Sequence, residues 1–175
     1  MPRTKPQLAI FDLDGVIIAN PDDAQSGPPK TCGDYWTRHW TNPDMSRINK
    51  EIVLMAQVLS DSGVLIQVLT ARPERFYSST HNLLVMAEFP YDRLDMLPGT
   101  DVPQSSAAWK QERVAELKRT YDVLFMIEDY RPNAEAVRSQ VPVLLYERKK
   151  PSVHLENVCG MCGGLVRCLC DGQAH

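Results

Sequence analysis

The chain has 175 residues, 43% of them apolar and 23% charged, with a net charge of −3 at neutral pH. That length suits one domain with room for a small insertion or tail, and the mild charge excludes a protein drawn to nucleic acid or membrane by its overall field. No apolar run approaches the roughly 20 residues that span a bilayer, and the start MPRTKPQLAIFDLDG lacks the apolar segment of a secretory leader. Four of the five cysteines fall in the last seventeen residues. The body keeps only Cys32, which points to a reducing compartment, the cytoplasm, and against a disulfide framework.

Leu8 to Leu13 (LAIFDL) reads as a short buried strand emptying into an Asp-Gly turn. From Asn20 to Thr41, prolines and glycines alternate with Tyr35, Trp36 and Trp40. This predicts an excursion with one helical turn near the tryptophans. Ile48, Ile52, Met55, Ala56 and Leu59 fall at helical spacing, so a helix is expected from Asp44 to Ser60, capped by Asp44 or Ser46 and closed at Gly63. Val64 to Leu69 is a second buried strand ending at Thr70. A helix through His81, Leu84, Val85 and Ala87 follows. Arg93 to Leu97 is a third strand. Ser105 or Ser106 caps a helix running to about Tyr121. Val123 to Ile127 is a fourth strand ending at Glu128 and Asp129. Pro132 opens a last helix, and Val143 to Tyr146 is a fifth strand. Apolar strands alternating with amphipathic helices predict a Rossmann-like α/β fold: a five-stranded parallel sheet flanked by helices on both faces. The expected division is 1–150 for this domain, with a small insertion at about 20–43, and 151–175 for a Cys-rich tail.

In an open parallel sheet, ligands bind beyond the carboxyl ends of the strands. Asp12 and Asp14 lie beyond the first strand, Thr70 and Arg72 beyond the second, and Glu128 and Asp129 beyond the fourth. Lys110 sits near the start of the helix before the fourth strand. Crowded carboxylates repel unless a cation neutralises them. Hard oxygen donors with no His or Cys among them suit Mg²⁺, which also takes phosphate oxygens. Asp12 and Asp14, two apart, lean to the same side of an extended segment. One is placed to attack phosphorus and the other to handle the leaving-group proton. Lys110 and Thr70 supply charge and a hydrogen bond to the transferring oxygens.

FDLDGVI, with Asp12, Asp14 and Gly15, resembles the first motif of the haloacid dehalogenase-like (HAD) phosphohydrolases. VLTAR with Thr70 resembles the second, Lys110 fits the third, and MIEDY with Glu128 and Asp129 fits the fourth. The resemblance spans roughly Leu8 to Tyr146. It implies an aspartyl-phosphate on Asp12, acid and base roles for Asp14, and Mg²⁺ held by Asp12, the Asp14 carbonyl and Asp129, with Glu128 direct or through water. TARPERFYSST followed by PYDRLDML is similar to the 3′-phosphatase domain of phage polynucleotide kinases, which implies a phosphorylated polynucleotide end as partner and, for a phage-encoded protein, the host cytoplasm. The sequence departs from the bifunctional enzyme in having no GxxxxGK[ST] loop, so no kinase activity is implied.

Gly15, Arg72, Arg75 and Arg131 are the candidate substrate contacts. Arg72 and Arg75 read equally as surface charges at a helix start, and Arg131 as a residue that stabilises its own loop. The tryptophans read first as a miniature core for the insertion and second as a stacking wall for a nucleobase. Cys159, Cys162, Cys168 and Cys170 have the density of a structural zinc site, with His154 as a substitute ligand. A redox dithiol and a tail of free thiols are the alternatives. The expected activity is Mg²⁺-dependent removal of 3′-phosphates from polynucleotide ends. A 5′-nucleotidase or small-metabolite phosphatase is the enzymatic alternative, and a non-catalytic binding module using the Cys-rich tail is the alternative of another class.

Overall fold

The computed structural model describes residues 5–20, 33–99 and 105–147. The expected cysteine cluster and most of the proline-rich part of the insertion lie outside the described residues. Five strands, β1 (Gln7–Phe11), β2 (Leu65–Pro73), β3 (Arg93–Leu97), β4 (Asp122–Glu128) and β5 (Val143–Leu145), alternate with helices α1 (Gly33–Thr41), α2 (Lys50–Asp61), α3 (Tyr77–Met86), α4 (Ser106–Thr120) and α5 (Arg131–Val137). The strands form one parallel sheet in the order β3-β2-β1-β4-β5. This is the expected α/β architecture. Among the described residues, no helix is long and apolar enough to cross a membrane.

The strand order decides where a site can form. The chain winds outward from β1 to β2 and β3, then returns to the other side of β1 for β4 and β5. Outgoing connections therefore diverge between β1 and β4, and in open α/β sheets ligands bind beyond the carboxyl ends of the strands at such a point. Register carries both strands to the same level: Phe11 lies opposite Ile127, and the Asp12 N–H donates to the Ile127 carbonyl at 3.0 Å. Asp12 thus leaves the sheet beside Glu128 and Asp129.

Each face of the sheet is covered. Alternation along β1 sends Ala9 and Phe11 to the face shared with Ile52, Ala56, Leu83 and Leu84 of α2 and α3. It sends Leu8 and Ile10 to the face shared with Trp109, Val114, Leu117 and Val137 of α4 and α5. The turn after β1 is itself core: Leu13, Val16, Ile17 and Ile18 are buried. It is closed by N–H bonds from Ile17 and Ile18 to the Leu13 carbonyl.

Three local expectations are corrected. The helix expected from Asp44 begins at Lys50, because Asp44 caps a separate 3₁₀ turn, Met45–Arg47. Ile48 then bridges to Ile18 in extended form, and this tertiary pairing overrides the helical spacing. The single turn expected near the tryptophans is a nine-residue helix, α1. Strand β2 continues past Thr70 to Pro73, following β3 through a register shift.

Phe11 packs edge-on against Phe89 and Phe125, with ring centroids 5.5 and 6.3 Å away. Phe11→Ala is expected to lower unfolding free energy by about 3–5 kcal/mol, read from urea denaturation. A loss below about 1 kcal/mol would contradict this placement of the core.

Candidate active site

Lys110 is the fifth residue of α4, and its side chain is buried. Ser105 caps that helix, its Oγ accepting from the Ala108 N–H at 3.2 Å. Lys110, Val114 and Leu117 then recur at i, i+4 and i+7 on the buried side. The ammonium reaches the end of the sheet, where Nζ lies 2.9 Å from Asp12 Oδ1 and 2.7 Å from Glu128 Oε2. Glu128 Oε1 accepts from the Tyr130 N–H at 3.1 Å and from Asn133 Nδ2 at 3.3 Å. Asn133 in turn accepts from Ser106 Oγ at 2.9 Å. Glu128 therefore ties the starts of α4 and α5 to the β4 tip. Asp12 Oδ1 also accepts from the Leu13 N–H at 2.8 Å; neither this bond nor the Lys110 contact uses Oδ2.

Asp129 packs over Gly15. A Cβ at position 15 would fall 1.9 Å from Asp129 Oδ2 and 2.9 Å from Asn20 Nδ2, and the backbone there has φ of +84°. Glycine meets both demands. Asn20 Nδ2 donates to Asp129 Oδ2 at 3.0 Å, while Asn20 Oδ1 is buried with no partner among the described residues. Asp12, Glu128 and Asp129 each bring a carboxylate oxygen within 4.8 Å of the others. This oxygen-only donor set fits Mg²⁺ better than Zn²⁺.

Asp14 has different partners. Arg72, 1% exposed, grips its carboxylate with Nε 2.8 Å from Oδ2 and Nη2 2.7 Å from Oδ1. Nη1 reaches Thr80 Oγ1 at 3.5 Å. His39 Nε2 lies 3.0 Å from Asp14 Oδ1. Thr70, also buried, accepts from the Arg72 N–H at 3.2 Å.

Charge state follows from these contacts. Burial and the neighbouring Glu128 push the Asp12 carboxyl well above its ordinary value, against the pull of Lys110. Burial also raises Asp129, to about 7, with the Asp12 charge adding to it. Burial acts the same way on Asp14, but the Arg72 guanidinium and His39 outweigh it and hold that carboxyl well below the carboxylate range. For Lys110, burial is outweighed by Asp12 and Glu128, so its ammonium is held charged.

The structure thus brings together Asp12, Asp14, Gly15, Lys110, Glu128 and Asp129, with Thr70 attached through Arg72. Arg72 is not the surface charge of the expectation, because its guanidinium is turned inward onto Asp14. Arg75 is exposed, with its guanidinium 5.0 Å over the Phe76 ring. Arg131 forms an exposed ion pair with Glu147 at 2.7 Å. Neither contacts the carboxylates above. Sequence reasoning missed His39, Asn20, Asn133 and Thr80. Only His39 left a trace there, at i+3 from Trp36 and beside Trp40.

Lys110→Met leaves Asp12 and Glu128 facing each other and is expected to cost about 3–5 kcal/mol at neutral pH; denaturant unfolding showing under about 1 kcal/mol would refute the pairing. A carboxyl near 7 in the fold and 3.8 ordinarily keeps a proton that the unfolded chain releases. Stability therefore falls as pH rises from about 4 to about 7. Asp129→Asn removes that part of the slope in chelator, and so does Mg²⁺ added to the unaltered protein. Superimposable urea midpoints for both proteins across this range would contradict the assignment.

No family model matches the chain, and no curated protein matches its sequence. Solved structures do. A chain of the Pnkp1/Rnl/Hen1 RNA repair complex superposes with a TM-score of 0.63 at 19% identity over 81% of this chain. The match spans 42% of that chain, less than half its length. The HAD domain of the effector protein Lem4 from Legionella pneumophila gives 0.52 at 16% identity, over 87% of this chain and 89% of that one. A protein described as a HAD-like phosphatase from Mesorhizobium loti gives 0.53 at 13% identity, over 80% and 71%. The chain has the fold of the HAD phosphatases, and its clustered carboxylates lie at the β1 and β4 tips of that fold.

Proposed function

We propose that the protein is a Mg²⁺-dependent phosphomonoesterase working through an aspartyl-phosphate on Asp12, and that its substrate is the 3′-phosphate of a polynucleotide end. The observation carrying this reading is the pairing of buried Asp12 with Lys110 within an oxygen-only cluster at the switch point of the sheet. Burial and Glu128 favour the protonated Asp12 carboxyl, and the Lys110 ammonium opposes them, favouring the anion that attacks. Asp12 Oδ2 attacks phosphorus, the ester P–O bond breaks, and the leaving oxygen takes a proton from Asp14. Water then attacks the phosphoryl group, giving its proton to Asp14. The bond between phosphorus and Asp12 breaks, releasing phosphate.

Asp14 as seen here, gripped by Arg72, is in the state that accepts a proton from water. A phosphate dianion arriving nearby competes for Arg72 and raises the proton affinity of Asp14 by like charge, which prepares the donating state. Asp12, Asp129 and Glu128 would hold Mg²⁺, with the Asp14 carbonyl completing the set. The bound ion would neutralise charge on the phosphoryl oxygens. Lys110 and Thr70 assist from the protein side.

The polynucleotide assignment is supported by the likeness to a chain of an RNA repair complex. It is also supported by the aromatic rings of Trp36, Trp40 and Phe76 beside His39, which offer a surface for an unpaired base. A phosphate-release screen tests it with a 3′-phosphorylated oligonucleotide, a 5′-mononucleotide and a sugar phosphate, each in Mg²⁺ and in chelator. The oligonucleotide is expected to be turned over fastest, only with Mg²⁺, and Asp12→Asn to lose about a thousandfold or more. Faster release from the mononucleotide or sugar phosphate would replace the substrate assignment with a small-molecule one. Activity that survives Asp12→Asn would refute the mechanism.

A further inference from the structure

We propose that His39 is a positioning residue for proton transfer at Asp14, delivered to the site by the insertion helix α1; this rests on the role given to Asp14 above. Three N–H groups from two segments meet the Asp14 carboxylate. Arg72 supplies one to each oxygen, at 2.8 Å to Oδ2 and 2.7 Å to Oδ1. His39 supplies a second to Oδ1, at 3.0 Å. A carboxylate only accepts, so His39 Nε2 carries the proton in this contact. Oδ1 thus bears two donors, and among the described residues Oδ2 bears one. The arrangement is asymmetric, and it makes Oδ2 the oxygen with capacity left for the transferred proton.

His39 is held rather than placed by accident. It is 8% exposed, and its ring lies edge-on to Trp36 with centroids 5.9 Å apart. Trp36 stacks on Trp40 at 5.5 Å, and Trp40 packs on Phe76 at 5.2 Å. Phe76 lies four residues beyond Arg72, on the chain leaving β2. The ring stack therefore clamps α1 to the segment that delivers Arg72, so both donors approach Asp14 from elements fixed to each other. A stack serving only as a miniature core would not need a polar ring directed at the carboxylate.

The test uses the full chain and two esters that share the phosphoryl group. p-Nitrophenyl phosphate releases a stable phenolate and needs no proton from Asp14, whereas the 3′-phosphorylated oligonucleotide releases an alkoxide that does. In single-turnover measurements, His39→Ala is expected to slow transfer from the oligonucleotide by about tenfold or more. KM and the p-nitrophenolate burst should stay within about twofold. His39→Gln, whose amide reaches the same oxygen, is expected to recover most of the loss. His39→Leu keeps bulk against Trp36 and repeats the test without a cavity. Equal losses on both esters, a change in KM alone, or no loss on the oligonucleotide would overturn the role of His39 while leaving the phosphatase reading intact. An unaltered protein that cleaves neither ester would overturn that reading, and this inference with it.

Discussion

The Lys110 ammonium lies between Asp12 and Glu128, 2.9 and 2.7 Å from their oxygens, where water scarcely reaches any of the three. Removing three charges from water is expensive, and the arrangement persists only because each is within bonding distance of an opposite charge. It does not close the local balance. Asp12, Asp14, Glu128 and Asp129 offer four negative charges; Lys110 and Arg72 return two. The remainder is two negative charges, and Asp129, which has no ion-pair partner among the described residues, holds its proton up to about 7, chiefly through burial, with the Asp12 charge adding to it. A divalent cation has the charge that would release that proton and close the balance. This imbalance adds to the Asp12–Lys110 pairing that carries the phosphatase reading.

Topology is what makes such crowding affordable. The order β3-β2-β1-β4-β5 sets β1 beside β4 at the point where connections diverge, the position at which open α/β sheets bind ligands. The strands are held by apolar packing on both faces, and the unfavourable electrostatics are confined to their ends. Even there, the supports are specific: Asn133 and the Tyr130 N–H hold Glu128, and the bare backbone of Gly15 lets Asp129 approach. The site is built on strand tips, and α1 reaches it through His39.

Much of this was legible in the sequence, for reasons that differ by residue. Asp12, Asp14, Thr70 and the pair at 128 and 129 each follow a β-branched, apolar run, and polar residues at strand ends in an α/β chain fall on one edge. Lys110 was legible because the helix start and the next strand fix where its end points. His39 was not, since its contact with Asp14 depends on α1 docking through three rings, and docking of an insertion leaves no periodicity in the chain. Arg72 read as a substrate contact or, equally, a surface charge, because nothing local shows that it turns inward to Asp14. Residues 44–49 misled for a similar reason: the apolar spacing fitted a helix, but pairing of Ile48 with Ile18 is a long-range contact that local pattern does not encode.

Calorimetric titration of the full chain with Mg²⁺ near neutral pH, repeated in buffers of different ionisation enthalpy, addresses the charge imbalance most directly. The account predicts one ion bound per chain, with proton release that fades above about pH 8, where a carboxyl titrating near 7 is already ionised. It also predicts that Asp129→Asn weakens binding and reduces the proton release. Failure to bind at millimolar Mg²⁺, or binding that Asp129→Asn leaves unchanged, would contradict it.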